Sequence, residues 1–236
     1  MLEGKRIIVT GAARGMGAAT LFAYVTAGAQ VVGMDVNDEL GRPIAEAAAD
    51  SGPGSATYKH VDVADRASIE SAFSAAAEQM GGLDVLAHPA AIQAASDAGD
   101  VSVEHWDQMF AVNVRGTMLT NQIAYRYIKA AGGGSIINFG SISGQRPEPG
   151  AAAYSAAKGA VHSWTRTAAG TWGKDGVRVN AILPAMATPM YQEAMSKMTE
   201  EQTTASYWMN HQSIALGNKY GDPLTDLGPV MVFFAS

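Results

Sequence analysis

Tyr154 and Lys158, in the stretch Y-S-A-A-K, are the pair of side chains best suited to moving a proton. On a helix, residues four apart share a face and come within reach of each other. The lysine ammonium would then stabilise the neighbouring phenol as phenolate. A free tyrosine titrates near ~10, so acid–base work near neutrality requires a depression of roughly 3 units, or about 4 kcal/mol of differential stabilisation. Taken alone, a Tyr and a Lys at this spacing on an Ala-rich helix are more often a solvated face. The pair gains meaning from what accompanies it.

Gly11, Gly15 and Gly17, in T-G-A-A-R-G-M-G, form a second group with chemical content. Glycines are needed where the backbone takes unusual dihedrals and passes close to a pyrophosphate, whose charge is met by the free amides of a helix N-terminus. The spacing differs from the G-x-G-x-x-G fingerprint, and three glycines in a turn are a weak signal by themselves. Asp35 follows the apolar run Gln30 to Met34. A carboxylate at the end of a second strand is placed to accept hydrogen bonds from a ribose diol and to repel a 2'-phosphate. The alternative is a solvated loop aspartate.

The elements that must position these residues alternate along the chain. Apolar runs predict strands near 5–10, 30–34, 56–61, 83–88, 134–140 and 177–182. Helical stretches fall between them near 16–28, 38–50, 66–80, 103–131, split or continuous, and 151–173. This alternation implies right-handed crossovers and an α/β fold: a single-domain, Rossmann-type, doubly wound parallel sheet with helices on both faces. Ligands in such sheets bind beyond the carboxyl ends of the strands, at the topological switch point. Gly11, Asp35, Asp62, Asn113 and Ser141 all lie at or after predicted strand ends.

In this order and spacing the chain resembles the short-chain dehydrogenase/reductase family, from Lys5 almost to the last residue. The family's glycine motif matches Thr10, Gly11, Gly15 and Gly17, with Arg14 and Met16 inside the turn, and its adenine-side aspartate matches Asp62, followed by Val63. Its Asn-Ser-Tyr-Lys tetrad matches Asn113 in N-V-R-G, Ser141 in N-F-G-S-I-S-G, Tyr154 and Lys158. A segment after the sixth strand matches Asn180, Pro184 and Thr188. Where the family usually has N-N-A-G, this chain has His88-Pro89-Ala90-Ala91. Pro89 removes a backbone donor and Ala91 adds a methyl, so a local readjustment around Ala90 is expected, with cofactor binding kept. Ala185 stands for the glycine that usually follows Pro184 and is expected to narrow the pocket. Family members continue past the equivalent of Ser236 into a seventh strand and an interface tail, a piece expected to be missing here.

The resemblance implies an NAD(P)-dependent enzyme acting on CH–OH. Tyr154 would take or return the alcohol proton while hydride passes to or from nicotinamide. Lys158 would lower the tyrosine pKa and bind the nicotinamide ribose, Ser141 would hydrogen-bond the substrate oxygen, and Asn113 would hold a water linking Lys158 to solvent. Asp35 argues for NAD; Arg14 is a residue type that some NADP users place against the extra phosphate. A fixed anion beside that phosphate is costly, whereas an unused arginine can pair with Asp35 or turn to solvent, so NAD is expected over NADP. Residues 186–221 occupy the place of the family's variable substrate lid and contain Met186, Met190, Tyr191, Met195, Met198, Trp208 and Met209. Such a stripe is either core or an adaptable pocket lining. The few charges near the expected mouth favour a hydrophobic secondary alcohol or ketone, alicyclic or steroid-like, with Arg146 as an alternative anchor for an anionic group. An NADP-dependent 3-oxoacyl-type reductase and a non-catalytic nucleotide-binding protein are the competing readings.

Composition sets the remaining bounds. A length of 236 residues with 47% hydrophobic content suits one domain over 1–236 with a buried sheet. The absence of cysteine excludes disulfides, thiolate metal sites and thiol catalysis. A net charge of −6 without a basic cluster argues against nucleic acid. No apolar run reaches the ~20 residues of a membrane span, so a cytoplasmic protein that does not contact membrane is expected. The five histidines, His60, His88, His105, His162 and His211, lack metal-ligand spacing and are assigned structural roles, with no metal expected. In this resemblance the helices near 113–131 and 151–173 pack against two-fold mates. Ala156, Ala157, Ala160, Ala168, Ala169, Trp164 and Trp172 would form an apolar face, implying a homodimer or homotetramer.

Overall fold

Ile7, Ile8 and Val9 are consecutive on one strand and all fully buried, so both faces of the sheet must be covered. The computed structural model describes every residue except 197, 212, 213 and 216, and describes only the backbone at 189, 190, 194 and 206–210. Its sheet contains β1 (Arg6–Thr10), β2 (Gln30–Asp35), β3 (Ser55–His60), β4 (Val85–His88), β5 (Gly134–Phe139) and β6 (Val177–Ile182). All neighbours pair in parallel, in the order β3-β2-β1-β4-β5-β6. The order reverses between β1 and β4, which opens a crevice at the carboxyl ends of the strands.

Between the strands run α1 (Gly15–Thr26), α2 (Asp38–Ala49), α3 (Arg66–Met80), α4 (Val103–Phe110), α5 (Gly116–Ala130) and α6 (Ala152–Trp172). Polar caps start several of them: Asn37, Asp65 and Ser102 each accept a backbone N–H from the first turn of α2, α3 and α4. Leu21, Tyr24 and Val25 of α1 cover Ile7 and Val9 on one face, while Phe73 of α3 and Ile123 and Ile128 of α5 cover Ile8 and Leu86 on the other. Arg6 and Asp84 join the starts of β1 and β4 through two hydrogen bonds of 2.9 and 2.7 Å. Burial alone would raise the Asp84 carboxyl, but the Arg6 guanidinium holds it below its ordinary range.

The helical run predicted over 103–131 is continuous in direction but not in pitch. A π-helical turn at Ala111–Arg115 separates α4 from α5 and turns Asn113 inward, to 1% exposure. After β6 come α7 (Pro189–Ser196) and α8 (Glu200–Asn210), and the chain ends in α9 (Gly228–Ala235). Residues 186–221 leave and return at one point, where Met186 and Gly221 form a parallel bridge. Met186 packs against the core, Tyr191 and Met195 are half-buried and Met198 is exposed; the side chains of Met190, Trp208 and Met209 lie outside the described residues. Among the described residues, no helix is long and apolar enough to cross a membrane.

One expectation about α6 needs correction. Ala157 and Ala168 are 0% and 3% exposed within this chain, so they belong to its own core and not to an open helix face. Trp164 and Trp172 are half-buried, meeting edge to face at 6.0 Å, and Trp172 stacks on Tyr125 at 4.4 Å.

Candidate active site

Gly11 and Gly15 both adopt left-handed backbone, with φ of +63° and +56°. A Cβ on Gly11 would stand 2.7 Å from the backbone of Ala90, and one on Gly17 would stand 1.9 Å from the Gly11 carbonyl oxygen. The turn between β1 and α1 is therefore closed against the end of β4 in a way only glycine permits. Arg14 caps α1 with extended backbone and no side-chain hydrogen bond, leaving the first amides of the helix, at Gly15, Met16 and Gly17, to meet an anion. This cradle fits a pyrophosphate.

Asp35, the last residue of β2, is held beside that turn. Its carboxylate accepts from the Ala13 amide at 3.0 Å and from the Asn37 amide at 2.9 Å, while its carbonyl accepts from the Tyr58 hydroxyl at 2.7 Å. Arg14 forms no ion pair with it among the described residues. Beyond β3, Asp62 accepts from the Ala64 amide at 2.8 Å, and Val63 is buried against α5. Gly11 thus meets Ala90, and Thr10, Asp35 and Asp62 stand at or just beyond the carboxyl ends of β1, β2 and β3. Pro184 and Thr188 follow β6 at its far side, and Thr188 caps α7 by accepting from the Tyr191 amide at 3.2 Å.

On the other half of the crevice, α6 presents Tyr154 and Lys158 over the end of β5. Lys158 is 4% exposed and its Nζ donates to the Phe139 carbonyl at 2.7 Å, 5.5 Å from the centre of the Tyr154 ring. Burial lowers the ammonium from its ordinary 10.5 to about 8. Burial also raises the Tyr154 phenol, opposed only by its interaction with Ser141. The expected depression of the tyrosine by its neighbour is therefore reversed in this arrangement. Loss of water around the phenol sets the direction, while the Lys158 ammonium is engaged by a backbone carbonyl.

Ser141 follows β5, and its hydroxyl shares a 2.7 Å hydrogen bond with that of Ser143. Asn113 spends its side chain elsewhere: it accepts from the Ile92 amide at 2.9 Å and donates to the Ile92 carbonyl at 2.8 Å. It stitches the loop after β4 to the π turn. The unusual His88 at the end of β4 bonds Thr10 Oγ1 through Nδ1 at 2.7 Å. Burial, with the Lys158 charge behind it, pushes this imidazole down to about 3, so it stays neutral. Sequence reasoning passed over Ile92, Ser143 and the Phe139 carbonyl, because nothing local in the chain marks a residue as a partner of a distant side chain.

Comparison with known proteins identifies relatives of the whole chain. A family model described as short chain dehydrogenase matches residues 5–199. The chain is 36% identical over 236 residues to a 2,5-dichloro-2,5-cyclohexadiene-1,4-diol dehydrogenase, LinX, of Sphingobium indicum, covering 100% of this chain and 90% of that protein. It is 37% identical over 185 residues to a D-threitol dehydrogenase of Mycolicibacterium smegmatis, covering 78% and 71%. The crystal structure of a dehydrogenase/reductase from Sinorhizobium meliloti 1021 superposes with a TM-score of 0.88 at 30% identity, covering 100% of this chain and 89% of that one.

The buried ammonium has a measurable signature. Because its folded pKa of about 8 lies below the ordinary 10.5, the unfolded chain binds more protons between these values, and stability rises with pH across that window. Chemical denaturation of wild type and Lys158→Met at several pH values should show the wild type gaining roughly 3 kcal/mol relative to the variant through that range. Parallel stabilities would show that Lys158 is solvated.

Proposed function

The chain belongs to the short-chain dehydrogenase family and is a nicotinamide-dependent oxidoreductase acting on CH–OH, and from that premise we propose that it uses NAD on a hydrophobic, alicyclic secondary alcohol or the corresponding ketone. The observation that carries this reading is the meeting of Ser141, Tyr154 and Lys158 at the carboxyl end of β5. Bound there, the nicotinamide would supply the hydride donor or acceptor. Tyr154 exchanges the proton at the substrate oxygen. Held neutral by burial, it is ready to donate to a ketone; for alcohol oxidation it must first lose that proton, which the nearby Lys158 charge favours. Ser141 donates a hydrogen bond to the same oxygen and positions it.

Support for NAD comes from Asp35. Two backbone amides fix its carboxylate, so it cannot turn away from a 2'-phosphate at little cost. Support for an alicyclic substrate comes from the LinX relative, whose name specifies a cyclic diol, and from the apolar Ile92, which packs against the same small core cluster as Tyr154. Arg146 and Glu148 both lie close enough to act on the Tyr220 hydroxyl, in opposite senses. An open-chain polyol is the second reading, favoured by the threitol dehydrogenase relative. Residues 186–221 serve as the lid over one domain spanning 1–236.

We also infer a two-fold assembly through α5 and α6. A largely apolar hollow of about 550 Å³, lined by Phe110, Val114, Met118 and Trp164 together with the charged Asp107 and Arg115, and by none of the candidate catalytic residues, supports a face covered by a second copy.

Absorbance assays of reduced nicotinamide over cyclohexanols, a hydroxysteroid and threitol test the substrate class. Turnover should be fastest on the ring alcohols, and Tyr154→Phe should lower it by ~10²–10⁴ while NADH binding, followed by fluorescence, stays unchanged. Fast turnover of threitol alone would select the polyol. Asp35→Ala should narrow the preference for NAD over NADP by roughly 1–3 kcal/mol; a wild type that already prefers NADP would give Arg14 the deciding role. Light scattering at micromolar concentration should report a dimer or tetramer, and a fully active monomer would refute the assembly.

A further inference from the structure

We propose that His162 is a positioning residue that holds Ser141 in place through its main chain. His162 lies one turn beyond Lys158 on α6, so Tyr154, Lys158 and His162 follow one another along the same face of the helix. Its imidazole is 6% exposed, and Nε2 accepts the backbone N–H of Ser141 at 3.2 Å. The proton of the neutral ring therefore sits on Nδ1.

Two glycines make room for this ring. A Cβ on Gly140 would stand 2.3 Å from Nε2, and one on Gly144 would stand 2.9 Å from Cε1, so the residues that bracket the G-S-I-S-G segment wrap the imidazole with Ser141 between them. Gly144 also approaches the α6 backbone, where its Cβ would meet the Gly159 amide at 2.8 Å. The spacing of this segment is accordingly matched to a histidine at this turn of α6. Burial, then the charges of Lys158 and Arg166, hold the imidazole below its ordinary range, which preserves Nε2 as an acceptor.

The consequence is a division of labour along one helix. Tyr154 and Lys158 act on the reacting groups, while His162 fixes the height at which the serine loop crosses α6. The Ser141 hydroxyl, already oriented by Ser143, is thereby set relative to the Tyr154 phenol. Without the acceptor, the partly buried Ser141 amide would lose its partner and the loop would shift to find another.

This inference rests on the reading that Ser141 acts on the substrate oxygen, and a double-mutant cycle separates the two. His162→Phe keeps a ring and deletes the acceptor; His162→Gln places an amide oxygen near the position of Nε2. We expect His162→Phe to lower kcat about ten- to hundredfold with NADH affinity unchanged, and His162→Gln to restore kcat to within about threefold of wild type. In a Ser141→Ala background, His162→Phe should cost no more than about threefold further, because the serine it positions is already silent. Losses that multiply in full would overturn the proposal and make His162 a packing residue only. If Ser141→Ala alone leaves kcat intact, the role assigned to the serine fails and the inference falls with it. Should His162→Phe fail to fold, Gln and Asn at this position decide: the shorter Asn cannot reach the amide and should be impaired, and equal activity of the two would overturn the proposal.

Discussion

A lysine ammonium held almost out of water by one carbonyl is the constraint on which the candidate site depends. Taking a cation from solvent costs several kcal/mol unless its donors are met, and Lys158 meets this with the Phe139 oxygen at 2.7 Å. That oxygen belongs to the last residue of β5, just where the strand gives way to the serine loop. The bond fixes both the height and the rotation of α6 over the sheet. Tyr154 then falls one turn before it and His162 one turn after it, each opposite a different part of the loop that follows β5. The parallel sheet supplies the rigid edge, and the lysine transmits its position to the chemistry.

Much of this was legible in the chain. The six strands lie within two residues of their expected positions; the inner strands, buried on both faces, leave long hydrophobic signatures, whereas the exposed edge strand β3, S-A-T-Y-K-H, does not. The glycine turn was legible for a related reason: positive φ at Gly11 and Gly15, and the contact of Gly11 with Ala90, admit no side chain. What escaped was every property set by the meeting of distant segments. The spacing of Tyr154 and Lys158 shows that they are neighbours but not how deeply they are buried, and burial decides the direction in which the phenol shifts. The alanines of α6 suggested an open face, yet Ala157 and Ala168 turn inward, since a uniform small-residue stripe carries no sign of which side the core will take. The side chain of Asn113 is aimed by the π turn at the Ile92 backbone, a partnership that no local pattern in the chain marks.

The departures after β4 are absorbed locally. His88 replaces one polar group by another that still reaches Thr10 across the gap between β4 and β1. Its second nitrogen is buried without a partner among the described residues, an uncompensated polar atom that a neutral ring tolerates and a charged one would not. Pro89 offers no amide, but the next anchored amide, that of Ile92, is secured by Asn113. The loop is thus fixed from the π turn.

The bridge between Met186 and Gly221 closes residues 186–221 into a loop whose two ends are stitched together by the amides of Ala187 and Gly221. Chain inserted or deleted within a loop that is already closed costs little, since closure entropy grows only as the logarithm of length. The sheet does not register what happens beyond that stitch. On the proposed reading of residues 186–221 as the lid, specificity would sit in an appendage that can drift in length and sequence, or be exchanged for another, while the strands that hold the reacting groups keep their places.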